Sequence, residues 1–501
     1  MELIQNLGLG FATAFSVANL AYCLIGVFLG TAIGVLPGLG PVATIAMLLP
    51  VTFGLSPETA LIMLAGIFYG AQYGGSTTAI LVNLPGESSS VVTAIDGYQM
   101  ARQGHAGKAL ATAAIGSFIA GTVATVVIAL IAPALAEVAL AFGPREYFSL
   151  MVLGLVASVV LASGSLLHAV GMIVLGLLLG LIGTDVNSGV MRYTFGRDEM
   201  ADGISFVVVA MGMFGIGEIL SNLESEASRS ILARKVEGLM PTRADLRRIM
   251  APVARGTGIG SLLGILPGGG AMLASFAAYA LEKKVSRTPE RFGHGAIEGV
   301  AGPESANNAA AQTSFIPMLT LGIPSNPTMA LMIGAMIMQG IQPGPGVISD
   351  QPALFWGLIV SMWIGNVMLL VLNLPLIVLW VRMIGIPYHF LYPCIIFFCV
   401  IGVFSINNAT FDIWLMALFG VAGYILRKLD CEPAPLLLGF VLGPMLEEHL
   451  RRAMLISKGD PTGFLTSPIS ATLLALAVAL LISILLPAIR SKREEAFQEE
   501  D

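Results

Sequence analysis

Long apolar runs dominate the chain: the segments 110–135, 148–182, 354–381 and 469–489 contain no Asp, Glu, Lys or Arg. About 20 such residues cross a bilayer as one helix, so 501 residues joined by short loops predict roughly a dozen spans. None of the runs shows the period-2 alternation of a barrel strand, which predicts helices rather than a β-barrel.

Polar and helix-breaking positions interrupt the pattern in a repeating way. The sequence GVLPGLGP at 34–41 returns as GILPGGGA at 264–271, an offset of 230 residues. Beyond each copy lies a stretch rich in Gly, Ser and Thr that ends in a second break, around Pro85 and around Pro324, at an offset of 239. Gly121 and Gly365, Pro144 and Pro387, and Gly176 and Gly420 pair at offsets of 243 to 244. This divides the chain into an N-terminal segment (1–20), a first repeat (21–221), a basic loop (222–250), a second repeat (251–447) and a final helix with a charged tail (448–501). The expected fold is an all-α polytopic membrane protein of about 12 transmembrane helices, in two repeats with broken or re-entrant helices.

Composition agrees: 56% of residues are hydrophobic and 11% charged, against about a quarter charged in a soluble domain. The net charge of −6 says little about partners, because the charges belong to loops and tails, and no basic stripe suggests nucleic acid. No Lys or Arg precedes Arg102, so the first apolar run reads as a retained helix rather than a signal peptide.

Basic residues collect in cytoplasmic loops. Arg229, Arg234, Lys235, Arg243, Arg247, Arg248 and Arg255 mark the central loop, and Arg490, Lys492 and Arg493 follow the last apolar run. These predict a cytoplasmic C-terminus and place the charge-poor N-terminus outside. Equivalent loops differ in charge: 51–57 has no basic residue, whereas its counterpart carries Lys283, Lys284, Arg287 and Arg291. That contrast favours inverted repeats, with Arg451, Arg452 and Lys458 as the exceptions.

Pro and Gly inside an apolar run free backbone groups that lipid does not satisfy. Two breaks at equivalent places in each half suggest a transporter site between the repeats. Pro37, Gly38 and Gly40, with Pro267, Gly268 and Gly270, would open helices whose N-terminal amides suit a carboxylate. The alternative is a kink with close glycine packing. Gly26, Gly30 and Gly34, at spacing four, read as such a packing face.

Around the second breaks, Asn83, Pro85, Gly86, Ser88 and Ser89, and Pro324, Ser325 and Asn326, bring amide and hydroxyl donors for an anion. Thr77, Thr78 and Asn83, with Thr313, Ser314 and Asn326, offer oxygens for a cation such as Na+. The alternative is that the hydroxyls bond back to helix carbonyls. Asn307 and Asn308 would cap or open a helix beside the same cavity, or simply cap one at a surface loop. Glu87, Asp96 and Glu304 lie near these breaks as proton-relay candidates or loop carboxylates. No nucleophile–base set, metal-ligand spacing or phosphate loop is present, so the residues do not predict an enzyme. A coupled transporter and a passive anion channel or pore remain the two readings.

Four segments carry a resemblance to a known family: GVLPGLGP at 34–41, YGAQYGGSTTAILVNLPGE at 69–87, GVAGPESANNAAA at 299–311 and GIPSNPTMALMIGAM at 322–336. With these the chain resembles the large permease subunit of the tripartite tricarboxylate transporters, over essentially its whole length. The second copy departs from the first by ending in Ala271 where the first has Pro41. The resemblance implies a bacterial inner-membrane permease working with a small four-helix membrane subunit and a periplasmic substrate-binding protein. It also implies ion-driven uptake of tricarboxylates or related carboxylates, with no cofactor beyond a coupling ion.

Overall fold

The computed structural model describes residues 2–36, 39–161, 165–185, 188–224, 238–266, 270–386 and 388–485. Pro37, Gly38, Pro267, Gly268 and Pro387, and the basic residues Arg229, Arg234, Lys235, Arg490, Lys492 and Arg493, lie outside the described residues. One antiparallel strand pair, Gly183–Thr184 with Met191–Arg192, stands among helices.

The first half contains α1 (Glu2–Ala14), α2 (Val17–Gly34), α3 (Pro41–Leu48), α4 (Pro57–Val82), α5 (Val91–Arg102) and α6 (Ala106–Ala139). It continues through α7 (Pro144–Leu161), α8 (Leu166–Gly180) and α9 (Phe206–Glu224), the last with a π-helical stretch at Met211–Ile216. The second half contains α10 (Arg243–Leu263), α11 (Gly270–Val285), α12 (Glu298–Thr313), α13 (Phe315–Leu321), α14 (Pro327–Met338) and α15 (Pro352–Asn373). It ends with α16 (Ile377–Ile384), α17 (Tyr388–Asn407), α18 (Thr410–Lys428), α19 (Pro433–Ile456) and α20 (Pro468–Leu485).

Helices α2, α6, α9, α15 and α18 are each long and apolar enough to cross a bilayer, and shorter apolar helices stand beside them. Their outer faces have the composition lipid requires. On α18, Trp414, Leu418, Val421 and Ile425 repeat at helical spacing and are exposed, while Met416, Phe419, Gly420 and Gly423 face inward. The chain is an all-α polytopic membrane protein.

Small residues set the core geometry. Gly26, Gly30 and Gly34 of α2 lie on the backbone of Met63, Ile67 and Ala71 of α4. Gly256 and Gly260 of α10, and Gly264 at its C-terminal cap, lie in the same way on Gly302, Ala306 and Ala310 of α12. The glycines are 230 residues apart and their partners 239 apart, which are the offsets of the sequence repeat. A β-carbon on Gly30 or Gly260 would stand closer to the facing carbonyl oxygen than any van der Waals contact permits. Backbone-on-backbone packing of this kind replaces the hydrophobic drive that lipid removes.

Contacts sort the loops into two ends. At one, Lys108 pairs with Asp245 at 3.1 Å, Gln103 Nε2 donates to the His294 carbonyl at 2.9 Å, and Lys428 pairs with Glu224 at 2.6 Å. At the other, Gln339 Nε2 donates to the Thr52 carbonyl at 3.1 Å, and Arg192 and Arg451 pair with Glu447 and Asp185. Gln103 and Gln339 are equivalent: each precedes a positive-φ glycine, Gly104 or Gly340, in the turn after α5 or α14. The turn of each half therefore docks onto a loop of the other.

Candidate functional site

The site begins where α4 and α13 stop. α4 ends at Asn83 with φ 57°, and α13 ends at Gly322 with φ 70°, both left-handed and 239 residues apart. Glycine takes this conformation without strain, and Asn is among the few other residues that tolerate it. Pro85 and Pro324 follow two residues later. Glu87 and Asn326, again equivalent, then cap the next helical segments. Glu87 forms a capping box with Ser90, and the Asn326 Oδ1 accepts from the Met329 amide at 2.9 Å.

Each break folds back on its own helix. The Gly86 amide donates to the Gly75 carbonyl at 3.5 Å, and the Ser325 hydroxyl to the Ser314 carbonyl at 3.3 Å, at the same offset of 239. The first and second breaks of each half also meet. A β-carbon on Gly40 would stand 2.9 Å from the Gly86 oxygen, and one on Gly270 would stand 3.9 Å from Asn326 Nδ2. Gly40 caps α3, and α11 begins at Gly270.

The second half also reaches the first-half break. Asn307 Nδ2 donates to Glu87 Oε1 at 2.9 Å, joining α12 to the first-half break. Asp96 of α5, fully buried, accepts from the amides of Gly293, Gly295 and Ala296 at 2.8–2.9 Å and from the Tyr279 hydroxyl at 3.0 Å. Those four bonds saturate its carboxylate and anchor α5 to the loop before α12.

Glu304 of α12 is 1% exposed and lies inside a cage of hydroxyls and an amide. Ser76 of α4, Ser117 of α6 and Asn308 of α12 reach its Oε1 at 2.8, 3.2 and 3.1 Å, and Thr93 of α5 meets its Oε2 at 2.8 Å. Beside it is a small cleft that Glu304 lines together with Tyr73, Ser76, Thr77, Leu110 and Asn373, among others.

The expected site residues are placed as follows. Asn83 and Ser88 are exposed, Pro85 and Asn326 are half-buried, and Gly86, Ser89, Pro324 and Ser325 are buried. Thr77, Thr78, Thr313 and Ser314 each donate to a carbonyl of their own helix at 2.7–3.1 Å, which leaves hydroxyl lone pairs for another partner. Asn307 and Asn308 neither cap nor open a helix. α12 begins at Glu298 and carries through Pro303, because neighbouring helices bury the backbone the proline frees. Both side chains instead reach across the interface, Asn307 to Glu87 and Asn308 to Ser117 at 2.7 Å.

Sequence reasoning did not single out Ser76, Thr93, Ser117 and Asn373, because lone hydroxyls and amides in apolar runs carry no local signal and only long-range packing groups them. Several buried oxygens here have no protein partner: Tyr69 Oη, Gln72 Oε1, Asn307 Oδ1, Gln312 Oε1 and Asn373 Oδ1. Buried acceptors of this kind normally hold water, an ion or a ligand.

Comparison with known proteins gives the frame for this geometry. The chain is 63% identical over 501 residues, the full length of both, to an uncharacterized 52.8 kDa protein in the TAR-I ttuC' 3' region of Agrobacterium vitis. It is 66% identical over 242 residues to an uncharacterized protein in the TAR-II ttuC' 3' region of the same organism, which covers 48% of this chain and all of the relative. No solved structure matches. A family model described as tripartite tricarboxylate transporter TctA family matches residues 20–438, from α2 into α19 and through both sets of breaks. This chain belongs to the tripartite tricarboxylate transporter TctA family.

Proposed function

We propose that the chain is the large permease subunit of a binding-protein-dependent secondary transporter that takes up tricarboxylates or related carboxylates by cation symport. Membership of the family supports a permease subunit, and the site supports the manner of binding. The observation that carries the reading is the meeting of the two breaks in each half, Gly40 with Gly86 and Gly270 with Asn326. Amides at the starts of α3, α11 and α14, the Ser88, Ser89, Ser325 and Asn326 side chains, and Asn307 give donors for a carboxylate with no Lys or Arg at the breaks. Thr77, Thr78, Thr313 and Ser314 give oxygens for a cation.

The two halves are inverted repeats on this reading, with substrate between them in the bacterial inner membrane. The end that holds Lys108, Arg248 and Lys428 is cytoplasmic, and the C-terminus follows it. Arg192, Arg451 and Arg452 at the other end are matched by Glu447, Asp185 and Glu448, which offsets their contribution to orientation. A small membrane subunit and a periplasmic binding protein complete the system.

The test is uptake of a labelled carboxylate panel, citrate included, into proteoliposomes that hold the chain with both partners. Accumulation above equilibrium under an inward cation gradient is expected, and equilibration under every gradient would leave a passive pore instead. Pro324→Ala, Ser325→Ala and Ser88→Ala are expected to lower uptake at least tenfold in protein that still inserts.

A further inference from the structure

We propose that Glu304 is protonated in this conformation and carries the coupling proton. The inference rests on the symport reading above and names its ion. The two carboxyl oxygens are not equivalent. Oε1 takes three donors, from Ser76, Ser117 and Asn308, as a carbonyl oxygen does, whereas Oε2 meets a single hydroxyl, that of Thr93. A hydroxyl accepts as readily as it donates, so Oε2–H donating to Thr93 completes the set.

Charge supports the same state. The groups near Glu304 are Tyr73 from α4 and Glu87 from the break, with Asn373 from α15 in the same cleft, none of them cationic. Of the basic residues on the helices packed around α12, Lys108, Arg248 and Arg255 pair with Asp245, Glu298 and Glu282, and Arg102, Arg243, Arg247, Lys283 and Lys284 are exposed at helix ends. An unpaired carboxylate at such depth is costly, and protonation removes the cost.

The cage spans the two halves, which links the proton to movement. Glu304 and Asn308 belong to the second half, while Ser76, Thr93 and Ser117 belong to the first. Displacing one half against the other strips three of the four partners and leaves Glu304 facing the cleft it lines together with Asn373, whose Oδ1 is unpartnered. There the Oε2–H bond breaks, the proton passes to a water molecule, and the carboxylate remains on Glu304. The offset of 239 that relates α4 to α12 places Ala65 opposite Glu304, so the equivalent position of the first half carries no carboxyl.

Two measurements on the purified full-length chain test the proposal. In sodium-free proteoliposomes with both partner proteins, an inside-alkaline pH gradient drives labelled citrate accumulation in the wild type, corrected for protein-free vesicles. Glu304→Gln keeps three donors on its carbonyl oxygen and is expected to lose that accumulation at least tenfold while retaining citrate exchange at zero gradient. Infrared difference spectroscopy at neutral pH is expected to show a protonated carboxyl stretch that Glu304→Gln removes and Glu87→Gln leaves in place, with Thr93→Val shifting its frequency. Proton-driven accumulation by Glu304→Gln, or a wild-type spectrum without that band, overturns the proposal. Accumulation driven by sodium alone overturns it and leaves the symport reading standing, whereas equilibration under every gradient overturns both.

Discussion

Single residues decide how closely the helices approach. Gly30 and Gly260 each sit on a carbonyl that belongs to a packed helix, so an added methyl has no flexible neighbour to displace. Overpacking of a well-packed core costs about 1–3 kcal/mol, and these positions belong at the upper end. Gly30→Ala and Gly260→Ala are therefore expected to lower the melting temperature and the monodisperse yield. Gly258→Ala is the control: it lies on the same helix as Gly260 with nothing within 4 Å, and it should be neutral or stabilising by up to about 1 kcal/mol. A Gly260→Ala protein as stable as Gly258→Ala would refute the packing argument. At the same scale, Asn83→Gly should be tolerated because φ is 57° there, whereas Asn83→Val should destabilise the break.

Among elements, caps decide where each broken helix restarts. Removing the Asn326 side chain, which accepts from the Met329 amide, is expected to cost α14 about 1 kcal/mol. Hydrogen exchange at the first turn of α14 should rise in Asn326→Ala and stay unchanged in Asn326→Asp. The start of α10 is pH-sensitive for a related reason. Burial pushes the Asp245 carboxyl up, but the Thr242 hydroxyl and amide and the Lys108 ammonium outweigh it and hold it below the ordinary value. A depressed acid stabilises the fold above its unfolded value of about 4 and loses that contribution as pH falls through the folded value. The contact between α6 and α10 should thus loosen only in acid, and Asp245→Asn should remove the dependence.

Much of this level was legible in the sequence. The repeat offsets of 230 and 239 place the glycine triplets, the left-handed stops at Asn83 and Gly322, and the caps at Glu87 and Asn326 in register. The roles of Asn307 and Asn308 were not legible, because two polar residues after a proline look locally like a helix start. Their partners, Glu87 and Ser117, are nearly 200 or more residues away. The Glu304 cage was hidden for the same reason: Ser76, Thr93 and Ser117 come from three different helices.

Over the whole molecule, the halves interlock through equivalent turns, Gln103 on the His294 loop and Gln339 on the Thr52 loop. These contacts join opposite ends of the pair of halves. Movement that opens one end need not break the contact at the other. Ala65 at the place that mirrors Glu304 has an electrical consequence. If Glu304 alone carries the coupling proton, one proton accompanies each cycle, and a trivalent anion would enter with two uncompensated negative charges. Against an inside-negative potential each charge costs about 2.3 kcal/mol per 100 mV, more than the roughly 1.4 kcal/mol that one pH unit supplies. Uptake of a trianion would then be slowed by a potassium-diffusion potential negative inside and hastened by the opposite polarity, while a singly charged carboxylate would cross without sensing voltage.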